Sequence, residues 1–166
     1  GPAAPGAAHH EVAYRDRIAG FVADEHARCR TDAAALSLRD LDQARRHFVS
    51  AFGTECVGLS DADSLTFRGG GDCRPPGADR AAHFRFDAAS AGGEPLAVSL
   101  FVMPDNGRLP LEDGTTYRMN ARACMESGLT LHAWRAEGLL YLLVSEADAC
   151  DAARRSLNAP LQTAGF

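Results

Sequence analysis

The chain has no lysine, and arginine supplies all 17 of its basic residues. That bias points to no function by itself. Against 22 acidic residues it leaves a formal net charge of −5, with no basic run or basic stripe of helix length. Binding to nucleic acid through phosphate neutralisation is therefore not expected. No stretch of about 18 apolar residues occurs, so no segment of this sequence reads as a bilayer-spanning helix. CxxC is missing, which weakens a thioredoxin-like or zinc-ribbon reading. HExxH and the nucleophile elbow are also missing. Gly69-Gly70-Gly71 is not followed by the helix a phosphate-binding loop needs.

What is present fits one globular domain. The 166 residues are 46% hydrophobic and 23% charged, ordinary values for a chain that buries its own core. Residues 1–10, opening on Gly1-Pro2-Ala3-Ala4-Pro5, read as a disordered linker or a tag-cleavage scar. Residues 11–160 form the expected domain and residues 161–166 a tail. The five cysteines are Cys29, Cys56, Cys73, Cys124 and Cys150, an odd number that cannot all pair within one chain.

Hydrophobic spacing predicts an amphipathic helix from Glu11 to Cys29, with Ile18, Phe21, Val22, His26 and Cys29 on one face. A second helix is expected over Leu38 to Phe52, capped by Ser37 and ended by Gly53. Strand patterns follow. Cys56 to Leu59 is short, and Leu65 to Arg68 alternates up to the triglycine, which suggests a bulge, break or bend. Ala81 to Phe86 sets Phe84 and Phe86 against His83 and Arg85. Leu96 to Met103 and Leu139 to Val144 are apolar on both faces, as in strands covered on both sides. Leu129 to Trp134 joins the latter through a tight turn at Ala136-Glu137-Gly138. Residues 104–128 read as a loop, and a final helix is capped by Ser145. The fold class expected is α+β: a mainly antiparallel sheet of about six strands, two N-terminal helices and one C-terminal helix.

The residues with chemistry are His26, Cys29, Cys73 and His83. His26 and Cys29 are i and i+3 on the apolar helix face, where an imidazole needs a partner. If Cys73 pairs opposite Ala81, His83 sits two residues further along the same sheet face. A hairpin loop one residue shorter would turn His83 away. Two imidazoles and two sulfurs would suit zinc, and also Cu(I), for which thiolates are soft ligands. A Cys29–Cys73 disulfide is the rival, and unlinked buried thiols are the third reading. Cys124 and Cys150 could also pair, since each flanks the terminal hairpin. Met103, Met119 and Met125 with His132 and Cys124 compose a second soft set, although methionine is usually core filler. An enzyme is not expected: Cys29 and His26, neighbours on a buried helix face, leave no room for a substrate.

At these motifs the sequence resembles the extracytoplasmic domains of membrane-anchored bacterial anti-sigma factors of the zinc-finger type. The likeness rests on Glu25-His26-Ala27-Arg28-Cys29, on Cys73 with Ala81-Ala82-His83-Phe84, on Val98 to Val102, and on Gly138 to Ser145. It covers roughly residues 11–158. The chain departs from the pattern at Glu146-Ala147-Asp148, and residues 104–128 match nothing in it. The resemblance implies a sensory domain of a single-pass inner-membrane regulator, facing the periplasm. It also implies a sigma factor as partner, through a cytoplasmic segment and membrane helix preceding residue 1, and it leaves room for a homodimer. The cofactor expectation is a zinc or copper ion at His26, Cys29, Cys73 and His83.

Overall fold

The computed structural model describes residues 5–31, 36–56 and 64–166, with first-helix side chains described over residues 12–28. The elements are α1 (Pro5–Thr31), α2 (Leu41–Phe52), β1 (Leu65–Cys73), β2 (Ala81–Ala88), β3 (Leu96–Pro104) and β4 (Thr115–Met119). Then come α3 (Arg122–Glu126), β5 (Leu129–Ala136), β6 (Leu139–Glu146), α4 (Ala147–Ser156) and β7 (Gln162–Gly165). The α+β class holds. There are seven strands and four helices among the described residues, more than the sequence pattern indicated.

The sheet order is β1-β2-β3-β6-β5-β4-β7. Every neighbouring pair is antiparallel except β4 and β7, which run parallel. Residues 104–128, read as a loop, contain β4 and α3. Residues 161–166, read as a tail, contain β7, and α1 begins at Pro5 within the stretch read as a linker. Proline is well suited to a first helical turn, where its missing N–H has no partner to lose. The expected strand at Cys56 to Leu59 falls mainly outside the described residues.

Helices cover both faces of the sheet, which is why β2, β3, β5 and β6 are buried on both sides. On one face α2 and α4 pack Ala44, Phe48, Ala149 and Ala153 against Phe84, Phe86, Leu100 and Tyr141. On the other, α1 lays Tyr14, Ile18, Ala19 and Val22 over Phe101, Met103, Leu140 and Leu142. Ile18, Val22 and His26, four residues apart, belong to the stripe seen in the sequence, and buried Tyr14 extends it by one turn. Helix α2 starts at Asp40, not Ser37: the Asp40 carboxylate accepts the Gln43 N–H, and Gly53 ends the helix with φ 71°. Ser145 does not cap α4 either; that place belongs to Glu146, whose side chain makes no capping bond.

Two features fix the parts around α1. The β1–β2 ladder pairs Cys73 with Ala81 and Gly71 with His83, and its register shifts between Phe67 and Gly69. The triglycine region therefore carries a bulge and the strand continues through it. At the far end of the hairpin, the Tyr14 hydroxyl donates to Pro76 O at 3.1 Å. Asn106 Nδ2 donates to Gly77 O at 2.9 Å and to the Tyr14 hydroxyl at 3.0 Å. The N-terminal part of α1 is thus tied to the Pro75-Pro76-Gly77 turn. No helix among the described residues is long and apolar enough to cross a membrane.

Candidate functional site

On the α1 face, odd-numbered residues of β2 and β3 point toward the helix. That places His83 opposite Phe101 and Arg85 opposite Ser99. His83 and Arg85 are 2% and 6% exposed, and His26 is 2% exposed. Burying three such groups in one apolar layer is costly unless each is satisfied. The contacts show how this is met for His26 and Arg85. His26 Nδ1 lies 2.6 Å from Ser99 Oγ, and Arg85 Nη1 donates to His26 O at 3.1 Å. Arg85 Nη1 also approaches His26 Nδ1 at 3.3 Å. The His83 ring stacks on Phe101 with centroids 4.1 Å apart.

The electrostatics follow from this packing. Burial pushes His83 down to about 3, helped by the electrostatic influence of Arg85, His26 and Arg28. Its imidazole is neutral at physiological pH, the form that binds a metal ion. Ser99 engages Nδ1 of His26, so Nε2 is the nitrogen a metal would use, with Ser99 as the orienting outer partner.

Cys73, His83 and His26 thus share one sheet face, as the register with Ala81 requires. The sulfur and the His26 imidazole occupy different ladder rows. Cys73 lies level with Ala81, whereas Ser99, which holds His26, lies level with Arg85. Four residues of strand separate these rows, about 13 Å at the usual rise. His83 stands between them. No group of three or more His, Cys, Asp or Glu side chains within metal-binding reach occurs among the described residues. Cys29 lies in α1, three residues beyond His26, and its side chain is outside the described residues.

The other cysteines separate cleanly. Cys124, on α3, directs its Sγ toward Ala19 O at 4.0 Å on the α1 face. Cys150, on α4, meets His132 on the opposite face. The sheet stands between Cys124 and Cys150, both free thiols, and they do not pair. Met103, Met119 and Cys124 belong to the α1-side core, Met125 is 63% exposed, and His132 faces α4, so no second soft set assembles.

Sequence reading missed two partners. Ser99 and Arg85 as the groups that hold His26 were visible only as inward-facing polar residues of covered strands. The Cys150–His132 contact, with Sγ 3.5 Å from Nδ1, had no sequence signal, because β5 and α4 are brought together through β6.

No family model matches the chain, and neither a curated protein nor a solved structure does.

Proposed function

We propose that this chain is the extracytoplasmic sensory domain of a membrane-anchored anti-sigma regulator. Its signal is read where α1 crosses β2 and β3, by thiol oxidation or by a zinc or copper ion drawn to Cys29, Cys73 and His83, with His26 held one layer away by Ser99. The observation that supports this reading most is the burial of His26, His83 and Arg85 together beneath α1. A layer meant only for packing would carry apolar residues there, since buried polar groups bring specificity or function more readily than stability. The domain binds and does not catalyse.

The reading implies a two-state device. Tyr14 fixes one end of α1 to the hairpin turn, and Ser99 with Arg85 holds His26 further along the helix. Ligation of His83 together with Cys29 and Cys73 would draw the helix and the start of the hairpin toward one another. A signal can shift such an equilibrium only through different affinity for the two arrangements. Ligation displaces protons from the two thiols, so affinity rises with pH. His83 is already neutral and adds nothing to that dependence at physiological pH.

Elemental analysis of protein purified without chelator tests this, with Cys29→Ser and His83→Ala beside the unmodified chain. Metal bound near one equivalent and lost in both variants supports the metal reading. Equal metal content in all three contradicts it. A two-dalton mass deficit without reductant, localised to peptides carrying Cys29 and Cys73, supports thiol redox in its place.

A further inference from the structure

Helix α4 has two working sides. Ala149 and Ala153 pack into the core, while Ala147, Cys150, Asp151 and Arg154 recur at spacings of three and four along a second stripe. That stripe faces the end of the sheet where β5, β4 and β7 continue beyond the helix. The result is a cleft of about 430 Å³ with α4 as its wall and those strands as its floor. The volume is in the range of small-molecule sites.

The cleft concentrates chemistry. Cys150 Sγ lies 3.5 Å from His132 Nδ1 and 3.6 Å from Nε2. Arg118, directly opposite His132 in the β4–β5 ladder, lines the cleft and has no carboxylate partner among the described residues. Arg154 pairs with Asp151 through Nη2, while its Nε is buried with no hydrogen-bond partner among the described residues. Burial pushes the Cys150 thiol up, an effect Arg154 and Arg118 only partly offset, and burial with the two arginines pulls His132 down to about 4. The thiol and imidazole are therefore both neutral at rest. Two guanidinium groups against one carboxylate leave one positive charge uncompensated in a chain whose net charge is −5.

We propose that this cleft binds a small organic carboxylate, held by Arg118 and the Nε edge of Arg154, with the Cys150 thiol and the His132 imidazole in reach of the bound molecule. The guanidinium fork matches a carboxylate in shape and charge. The Thr130 and Thr163 residues on the cleft lining suit the polar remainder of such a ligand. The site lies on the sheet face opposite His26 and His83, so it stands or falls independently of the sensory reading.

Iodoacetate, a carboxylate that alkylates thiols, is the probe, and iodoacetamide is its uncharged control. In either reaction the Cys150 sulfur forms a bond to the methylene carbon, the carbon–iodine bond breaks, iodide leaves and the thiol proton is released to solvent. Rates at Cys150 are read by peptide mass spectrometry at neutral pH, with glutathione as the reference thiol. The iodoacetate-to-iodoacetamide rate ratio at Cys150 should exceed that of glutathione by about tenfold, the scale of one charge-assisted hydrogen bond. It should saturate with iodoacetate concentration. Arg118→Gln, an exposed position, should return the ratio to the glutathione value. A ratio equal to that of glutathione, a ratio unaffected by Arg118→Gln, or no reaction at Cys150 with either reagent would each overturn the proposal.

Discussion

Acidification from pH 6.5 to about 4.5 should cost this domain much of its stability, because two of its histidines are buried as neutral rings. His83 is held down to about 3 and His132 to about 4, each from an ordinary value of 6.5. A base whose folded pKa is depressed takes up its proton more readily in the unfolded chain. Its contribution to stability is complete above 6.5 and is lost as pH falls toward the folded value. Each full unit of difference is worth about 1.4 kcal/mol. Between pH 6.5 and about 4.5 each ring then removes roughly 2 kcal/mol, or about 4 kcal/mol together. Small domains have only about 5–15 kcal/mol in total. Asp72 contributes lower on the scale. Burial pushes its carboxyl up, but His47 and Arg80 outweigh this and hold it below 3.8. Its stabilising share is therefore lost mainly below the window chosen. Urea unfolding at the two pH values measures the difference directly. His132→Gln should remove about half of the pH dependence. Equal stability at both pH values, or a dependence unchanged in His132→Gln, would refute the reasoning.

Other perturbations test the packing. Phe48→Ala removes a fully buried ring that meets Phe84 and Phe52, and should cost about 3–5 kcal/mol in chemical denaturation. Gly77→Ala should destabilise by about 1–3 kcal/mol: φ there is +79°, and an added Cβ would stand 2.7 Å from Asn106 Nδ2 and 2.8 Å from the Tyr14 ring. Hydrogen exchange in the N-terminal half of α1 should rise with it, since the Tyr14–Pro76 contact is lost. Ser99→Ala leaves His26 and Arg85 without a shared buried partner and should cost about 1–3 kcal/mol by thermal or urea unfolding.

The parts of the fold that were legible in the sequence are those with an unambiguous period. Ala81 to Phe86 alternates, so its two faces were separable, and His83 with Arg85 was correctly set against Phe84 and Phe86. The doubly apolar strands around Leu100 and Leu142 announced cover on both sides. Glu137 and Gly138, with φ of 51° and 76°, make the tight turn expected between β5 and β6. β4 and β7 were invisible for a physical reason. Thr115–Met119 is only five residues long and does not alternate buried with exposed residues, and Gln162–Gly165 is exposed throughout. β7 is a strand because β4 offers it a parallel partner and Phe166 packs on Tyr117. The helix starts were misplaced by three residues at α2 because Ser37 and Asp40 are both acceptable caps, and only the fold chooses between them.

The candidate site was legible to the same extent. Face and register follow from strand alternation, so placing Cys73 and His83 together needed only the Ala81 pairing. Position along the strand is different. Which ladder row His26 meets depends on how α1 crosses the sheet, and that is set by Tyr14 at the hairpin turn and by Ser99 on β3. No spacing in the sequence encodes it. The Cys150–His132 cleft lies further still from sequence patterns, since its four lining elements are assembled by strand order alone.

Titration of the reduced chain with cobalt(II), followed by absorption, bears most directly on the sensory account. Thiolate ligation gives an intense near-ultraviolet charge-transfer band, and a tetrahedral site gives visible bands. The account predicts both at one equivalent, with the charge-transfer band weakened in Cys73→Ser and in Cys29→Ser, and the visible bands altered in His83→Ala. A reduced chain that gives neither band, or that gives the same spectrum after all three substitutions, contradicts metal sensing at these residues.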